Sequence, residues 1–328
     1  MNLTSGEKKE MNKGIAYALC ACFIWGFIFV IPQFMTGFSS LEVTLGRYLF
    51  YSTISSLVFI KSFLQGTCHF HRPIWIKALL FSLVSTIGYY TFLVLALRYS
   101  SPAICALILG ISPITIALYG NSRQKEVAFK SLIAPSLLIL LGLIIINTPH
   151  LESSSSPSCY ILGLLFCILA LISWSWYVVA NSRFLKCHPE VRSSDWSTLI
   201  GVATIFWVIA FAAILIVFFE DQLHMEKYFI FNDELKRFLI GSAVLGLVCS
   251  WVGAFLWNKA SFYLPVSLAG QLTIFETIFA VLFVFLITQS LPSPIEGIGI
   301  AILFAAIAYA IKKFAIAKKA FSRQISPH

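Results

Sequence analysis

Glu276 and Arg47 are ionisable side chains lying well inside apolar runs of this 328-residue chain. Glu276 interrupts "GQLTIFETIFAVLF", residues 270–283, about halfway along its run. A carboxylate at a bilayer centre costs roughly 2.5–3.5 kcal/mol on insertion scales. It persists there protonated, paired with a cation, or facing water in a cavity. The chemistry open to it is to bind a proton or the amine of a solute. The plainer alternative is a glutamate that only ties helices together. Arg47, in "LEVTLGRYLF", has several outlets. It can reach inward to Glu276, pair with nearby Glu42, snorkel to the surface, bind carbonyls near a helix end, or meet a substrate carboxylate.

Aromatic and polar residues extend the set. Trp25 and Trp174 fall near the middle of their runs, where tryptophan lines a cavity or packs between helices. Trp176, Tyr89, Tyr90, Trp251 and Trp257 lie in other runs. Trp251, Ala254 and Asn258 share a helical face. Thr86, Asn181, Asn258 and Gln271 offer hydrogen bonds, with Asn181 and Asn258 near segment ends where capping suffices. On a helix, Ala269, Thr273, Glu276 and Ala280 share one face, while Phe275, Phe279 and Phe283 form a separate stripe. A small-residue face lets backbones or a ligand approach closely.

The elements that position these residues follow from composition. Hydrophobic residues make up 59% of the chain and charged residues 11%. Soluble proteins carry about 25% charged residues, so the chain is read as a polytopic membrane protein. A spanning helix needs about 20 mainly apolar residues. Ten such segments are expected, near 13–34, 42–64, 74–97, 102–120, 128–147, 159–181, 196–219, 238–260, 265–288 and 295–314. The first run follows Lys8, Lys9 and Lys13 but is too long for a signal peptide, and is read as a retained helix. Pro102, Pro265 and Pro292 open segments, where a missing N–H is harmless. Pro113 falls inside one and is expected to kink it.

A formal charge of +9 could point to nucleic acid. In a membrane chain it is better read as basic cytoplasmic loops. With the N-terminus in the cytoplasm, 18 of the 23 basic residues fall on that side and 4 on the other, Arg47 lying between. Both termini are therefore expected in the cytoplasm. The eight cysteines show no pairing pattern, and Cys68, His69 and His71 in "CHFH" are too few for a tetrahedral metal site. No Walker, HExxH or GxSxG motif occurs, which argues against an ATP-driven engine or those hydrolase types. No cofactor is expected.

The chain also repeats internally. "NKGIAYALCACFIWGFIFV" resembles "YILGLLFCILALISWSWYVV", placing Trp25 over Trp174. "SSPAICALILGISPI" resembles "YLPVSLAGQLTIFET", placing Pro102 over Pro265 and Pro113 over Glu276. Ala106, Gly110, Pro113 and Ala117 then match the small face around Glu276, so the fourth and ninth helices are expected to flank one cavity. Five helices per half is an odd number, which inverts the second half, as in secondary transporters with a midplane site.

These residues resemble EamA-type permeases of the drug/metabolite transporter superfamily. "ALCACFIWGFIFV" is similar to their first-helix pattern, Arg47 to their second-helix arginine, and "ALRYSSPAICALILGISPITIAL" to their third-to-fourth helix signature. The resemblance covers nearly the whole chain. It implies an all-α fold of ten transmembrane helices in two inverted five-helix repeats, and export or exchange of small organic solutes by alternating access. Glu276 stands where the family often has proline, as in a narrower bacterial inner-membrane subgroup. Across the superfamily the substrates include amino acids, sugars, nucleotide-linked metabolites and drugs, and the resemblance does not choose among them.

The expected organisation is a first repeat over 1–147, an extracytoplasmic linker over 148–158, a second repeat over 159–315 and a basic cytoplasmic tail over 316–328. The expected function is secondary-active export of a small metabolite, an amino acid or related zwitterion being one candidate, from the bacterial inner membrane. Substrate is expected among Trp25, Arg47, Tyr90, Trp174, Gln271 and Glu276, with Glu276 also the candidate proton carrier. The partners are then the bilayer, the solute and, on the coupling reading, protons. A monomer suffices, and nucleic acid has no part. The alternatives are a broad-range efflux pump for aromatic or amphipathic toxins and, from another class, a membrane enzyme or scaffold without transport.

Overall fold

The computed structural model describes residues 5–66, 70–100, 105, 108–147, 157–218, 225–289, 291 and 293–325. Among the described residues the fold is helical, with no strand. Helix α1 (Ser5–Gly26) runs on into two short 3-10 turns, Phe27–Phe29 and Ile31–Phe34. Helix α2 is Ser40–Leu64. Helix α3 has three consecutive pieces: Arg72–Ser82, a π-helical Leu83–Gly88, and Tyr89–Tyr99. Then come α4 (Ser112–Gln124), α5 (Lys130–Asn147), α6 (Pro157–Cys187) and α7 (Ser193–Phe218). Helix α8 is Asp233–Val244, a π-helical Leu245–Val252, and Gly253–Tyr263. Helix α9 is Val266–Leu272 and Ile274–Thr288, interrupted at Thr273, and α10 is Pro294–Ile325.

Eight stretches of the described residues are long and apolar enough to cross a membrane, against the ten segments expected. The difference falls at the fourth and fifth segments. Part of the fourth, including Pro102 and Ala106, lies outside the described residues, as does Pro292. The fifth gives a shorter apolar helix, Lys130–Ile146. Most of the expected linker is also outside them.

Local chemistry sets the helix ends. Ser39 and Glu42 form a capping box: Glu42 N–H donates to Ser39 Oγ at 3.3 Å and Ser39 N–H to Glu42 Oε2 at 2.7 Å. Ser293 and Glu296 repeat the device at α10. Asn232 Oδ1 accepts from Leu235 N–H at 2.8 Å to open α8. Left-handed residues, Lys125 with φ +49° and Gln289 with φ +50°, end α4 and α9.

Helix α1 packs on α8, α3 on α6, α2 on α7, α4 on α9 and α5 on α10. Large apolar side chains such as Leu57, Leu137, Ile209 and Leu286 face outward. Lipid covers such a surface, and helices satisfy their backbones within it. Small residues set the spacing inside. A Cβ on Gly246 of α8 would lie 2.7 Å from the Arg47 carbonyl oxygen and 2.8 Å from Tyr51 N on α2. Backbone cannot yield as a side-chain tip does. Gly246→Ala is therefore expected to destabilise the protein by about 1–3 kcal/mol through overpacking. Thermal unfolding in detergent checks this, and an unchanged midpoint would show that α2 and α8 can separate freely.

Candidate functional site

Helix α9 breaks where its carbonyls can be satisfied locally. The Thr273 hydroxyl donates to the Gly270 carbonyl at 2.6 Å, and Cys22 Sγ reaches the Leu272 carbonyl at 3.6 Å. The helix resumes at Ile274, placing Glu276 in a first turn. Helix N-termini favour negative charge. The other half has its own interruption. Ile111 separates the helical residues 108–110 from α4, which resumes at Ser112 with Pro113 in its first turn. Proline has no N–H to leave unsatisfied there. Ile114 and Thr115 N–H both donate to the Ile111 carbonyl, at 2.9 and 3.1 Å. So Pro113 stands in the first turn after an interruption of the segment in which the sequence reading expected a kink.

The π-helical piece of α8 supplies the next layer. Trp25 Nε1–H donates to the Cys249 carbonyl at 3.0 Å, and Gly253 leaves the indole room, since a Cβ there would come within 2.5 Å of Nε1. The Ser250 hydroxyl donates to the Leu245 carbonyl at 3.0 Å and accepts from Arg47 Nε–H at 2.9 Å. The Arg47 guanidinium also lies 5.2 Å from the centre of the Tyr48 ring. Among the described residues no ion pair joins Arg47 to Glu276, and none joins it to Glu42. Glu42 is engaged elsewhere, accepting from Lys227 Nζ at 2.9 Å and the Tyr228 hydroxyl at 2.8 Å. Burial, and then the Glu42 carboxylate, push the Tyr228 hydroxyl above the usual tyrosine range.

Between these helices lies a cavity of about 820 Å³. Trp25, Arg47, Tyr90, Trp174 and Glu276 all line it. So do Tyr48, Tyr51, Tyr89, Tyr177, Ser250 and Thr273. Arg47 is the one cationic side chain in this lining among the described residues. Aromatic rings form its inner wall: Trp25 and Trp174 meet edge-on at 5.8 Å, Tyr89 lies 5.2 Å from Trp174, and Tyr177 lies 5.5 Å from it. From that layer the lining runs to one end of the bundle, through Phe29, Ser40, Leu97 and Glu296.

Gln271 departs from expectation. It is fully buried, absent from the cavity wall, and neither of its amide atoms has a partner among the described residues. It was expected at the site as a polar residue in the run that holds Glu276, but it lies on the helical piece before Thr273 and Glu276 on the piece after it. The small faces of α4 and α9 are also split by depth. Gly110, Thr273, Glu276 and Ala280 line the cavity. Deeper, Gly270 sits against Ile116 and Ala117, where a Cβ would approach Ala117 N to 2.9 Å. Phe279 and Phe283 pack on Phe23 of α1, and Phe275 on Phe304 of α10.

Asn181 and Asn258 are not simple caps. Asn181 Nδ2–H donates to Asn258 Oδ1 at 2.7 Å, Trp196 Nε1–H to Asn181 Oδ1 at 2.7 Å, and Asn258 Nδ2–H to Ser197 Oγ at 2.8 Å, all buried. Trp251 donates to Thr198 at 3.1 Å and stays off the cavity, though Ala254 lines it. Cys68 and His69 lie outside the described residues, which hold no metal-ligand cluster. Sequence reasoning missed Tyr51 and Tyr177, which helical spacing from Arg47 and Trp174 could have found. Nothing local marks Ser250 as the partner of Arg47.

A helical bundle with a lipid-facing exterior and a central cavity holding charged and aromatic side chains defines a polytopic membrane transporter class. The model of the EamA-like transporter family matches twice, over residues 12–148 and 161–311, and the chain belongs to that family. It is 26% identical over 314 residues to the inner membrane protein YtfF of Escherichia coli K12, covering 92% of this chain and 96% of that one. It is 24% identical over 189 residues to the uncharacterized inner membrane transporter YhbE of the same organism, spanning 56% of this chain and 59% of YhbE. A crystal structure of a protein 18% identical superposes with a TM-score of 0.72, covering 91% of this chain and 98% of that chain, a likeness of fold. The protein is a multi-pass inner-membrane transporter.

Proposed function

We propose that this transporter is a secondary-active exporter of a small zwitterionic or amino-bearing metabolite. It works by alternating access between two inverted five-helix halves, with both termini in the cytoplasm. The observation that carries the substrate reading is the cavity itself. It offers a buried guanidinium to a carboxylate, a deep carboxylate to an amine or proton, and an aromatic wall to an apolar body. The inverted halves are supported by features recurring at matching places: π-helical pieces from Leu83 and from Leu245, interruptions at Ile111 and Thr273, and left-handed ends at Lys125 and Gln289. The packing pairs fit the same two-fold relation, since exchanging halves turns α1 on α8 into α6 on α3 and leaves α2 on α7, α4 on α9 and α5 on α10 unchanged. In the orientation favoured by the basic residues, the cavity faces away from the cytoplasm. Thermal-shift screening against metabolites, then flux of the labelled hits in liposomes with and without a pH gradient, tests the proposal. Absence of flux for every stabilising solute would overturn it.

Ser250 positions Arg47 in this scheme. Its hydroxyl is oriented by the Leu245 carbonyl, and hydrogen bonds to charged groups contribute about 1.5–3 kcal/mol. Ser250→Ala is expected to weaken binding of a carboxylate-bearing solute by about tenfold, with Ser250→Thr restoring most of it. Titration of the purified variants checks this, and equal affinity in all three would remove Ser250 from the site. The second reading, broad-range efflux of aromatic compounds, is favoured by the aromatic wall. Protection of cells against many unrelated toxins without preference for zwitterions would select it.

A further inference from the structure

At the bundle end opposite the cavity Leu264, Val266 and Ser267 are buried, and among the described residues the carboxylate of Glu126 ties the two halves together. Glu126 lies in the turn between α4 and α5. Its oxygens accept from the backbone N–H of Val266 at 2.7 Å and of Ser267 at 2.8 Å, and from the Ser267 hydroxyl. Lys186, at the end of α6, comes within 3.8 Å. Every partner belongs to the second half of the chain. The turn presenting Glu126 is itself braced, because Asn121 bonds both the N–H and the carbonyl of Val127, at 2.9 and 2.8 Å. Around this point Val266 packs against Gly120, and Tyr17 stacks on Tyr263 at 6.1 Å.

Behind the contact lie buried polar side chains that the protein itself does not pair among the described residues. Gln271, Trp257 and Ser261 are each fully buried. Both Gln271 amide atoms, Trp257 Nε1 and Ser261 Oγ have no hydrogen-bond partner among the described residues. Native structures avoid such atoms because each carries an uncompensated desolvation cost. Water admitted from this end would reach these side chains, so a contact that holds the end closed is what keeps them buried. Among the described residues Glu126 is the carboxylate that spans the halves there, alongside Lys77 over the Phe184 ring at 5.0 Å.

We propose that Glu126 is the releasable clasp of the closed end. While it grips the α8–α9 turn and Lys186, the bundle is accessible from the Arg47 and Glu276 end. Its release lets water reach Ser261, Trp257 and Gln271. The proposal rests on the alternating-access reading and adds the contact that must break.

The test uses the full chain in lipid vesicles with its native cysteines replaced. Ser261→Cys reports on the closed end and Val281→Cys, in the cavity wall, on the other, each by its rate of reaction with a membrane-impermeant maleimide. Glu126→Ala is expected to raise the rate at position 261 about tenfold and to lower it at position 281. Lys186→Met, which removes only the ion pair, shifts both the same way by a smaller factor. Unchanged rates at both positions overturn the clasp. Faster reaction at both also overturns it, since that is loosening and not exchange. Should Glu126→Ala fail to reconstitute, Glu126→Gln and Lys186→Met carry the test, and no shift in either overturns it. Opposite shifts in a protein that moves no solute leave the clasp standing and remove the transport reading. Flux without opposite shifts removes the clasp alone.

Discussion

Glu276→Gln is expected to abolish solute movement driven by a pH gradient in liposomes. The glutamine keeps the size and hydrogen-bonding capacity of the side chain but cannot exchange a proton. The gradient-driven rate should fall by about a hundredfold or more, equivalent to about 2.7 kcal/mol of lost coupling. The same variant separates the two roles open to this residue. If Glu276 carries the proton, exchange of labelled for unlabelled solute persists in the variant and loses its pH dependence. If it binds the solute amine, affinity falls at every pH, and exchange falls with it. Its place supports either role: it lies in the first turn of a resumed helix, lines the cavity, and has no ion-pair partner among the described residues. Full activity with unchanged pH dependence would leave it a structural glutamate.

Arg47→Gln is expected to weaken binding of carboxylate-bearing solutes by about a hundredfold, within the 2–5 kcal/mol typical when one member of a buried charge pair is removed. Amines of similar size that lack the carboxylate should keep their affinity. That contrast separates recognition from general damage, because a collapsed cavity would lose both. Arg47→Lys should recover little, since an ammonium has no planar fork and cannot reproduce the Nε–H bond to Ser250. Binding titrations of a zwitterion and its decarboxylated analogue, on each variant, decide the matter. Equal losses for the two ligands would mean that Arg47 holds α2 to α8 and does not read the solute.

Much of the candidate site was legible because the bilayer makes charge conspicuous. Glu276 and Arg47 stand out wherever about 20 residues are otherwise apolar. Internal similarity set Trp25 and Trp174 at matching positions of the repeat, and that their rings meet edge-on is seen only in the structure. Gln271 shows the limit of residue type as a guide. A polar side chain in an apolar run suggested contact with the solute, but it lies buried off the cavity on the helical piece before Thr273, while Glu276 lies on the piece after it. Glu42 shows another limit. Its nearness to Arg47 in sequence suggested a local pair, yet Lys227 and Tyr228, from a distant loop, occupy both its oxygens.

The sequence alone determined that this is a helical membrane protein built from a repeated unit. Its apolar segments and misplaced charges were likewise visible there. Those properties are sums over local composition, and the cost of unsatisfied backbone in lipid leaves a spanning apolar segment little alternative to the helix. Only the tertiary structure decided which polar groups meet. Arg47 bonds Ser250 across 203 residues of sequence, Trp25 bonds a carbonyl of a π-helical piece, and Glu126 bonds the start of α9. Such choices depend on how closely small residues let helices approach and on where a helix is interrupted. Hydropathy, which counts residues without placing them, carries neither.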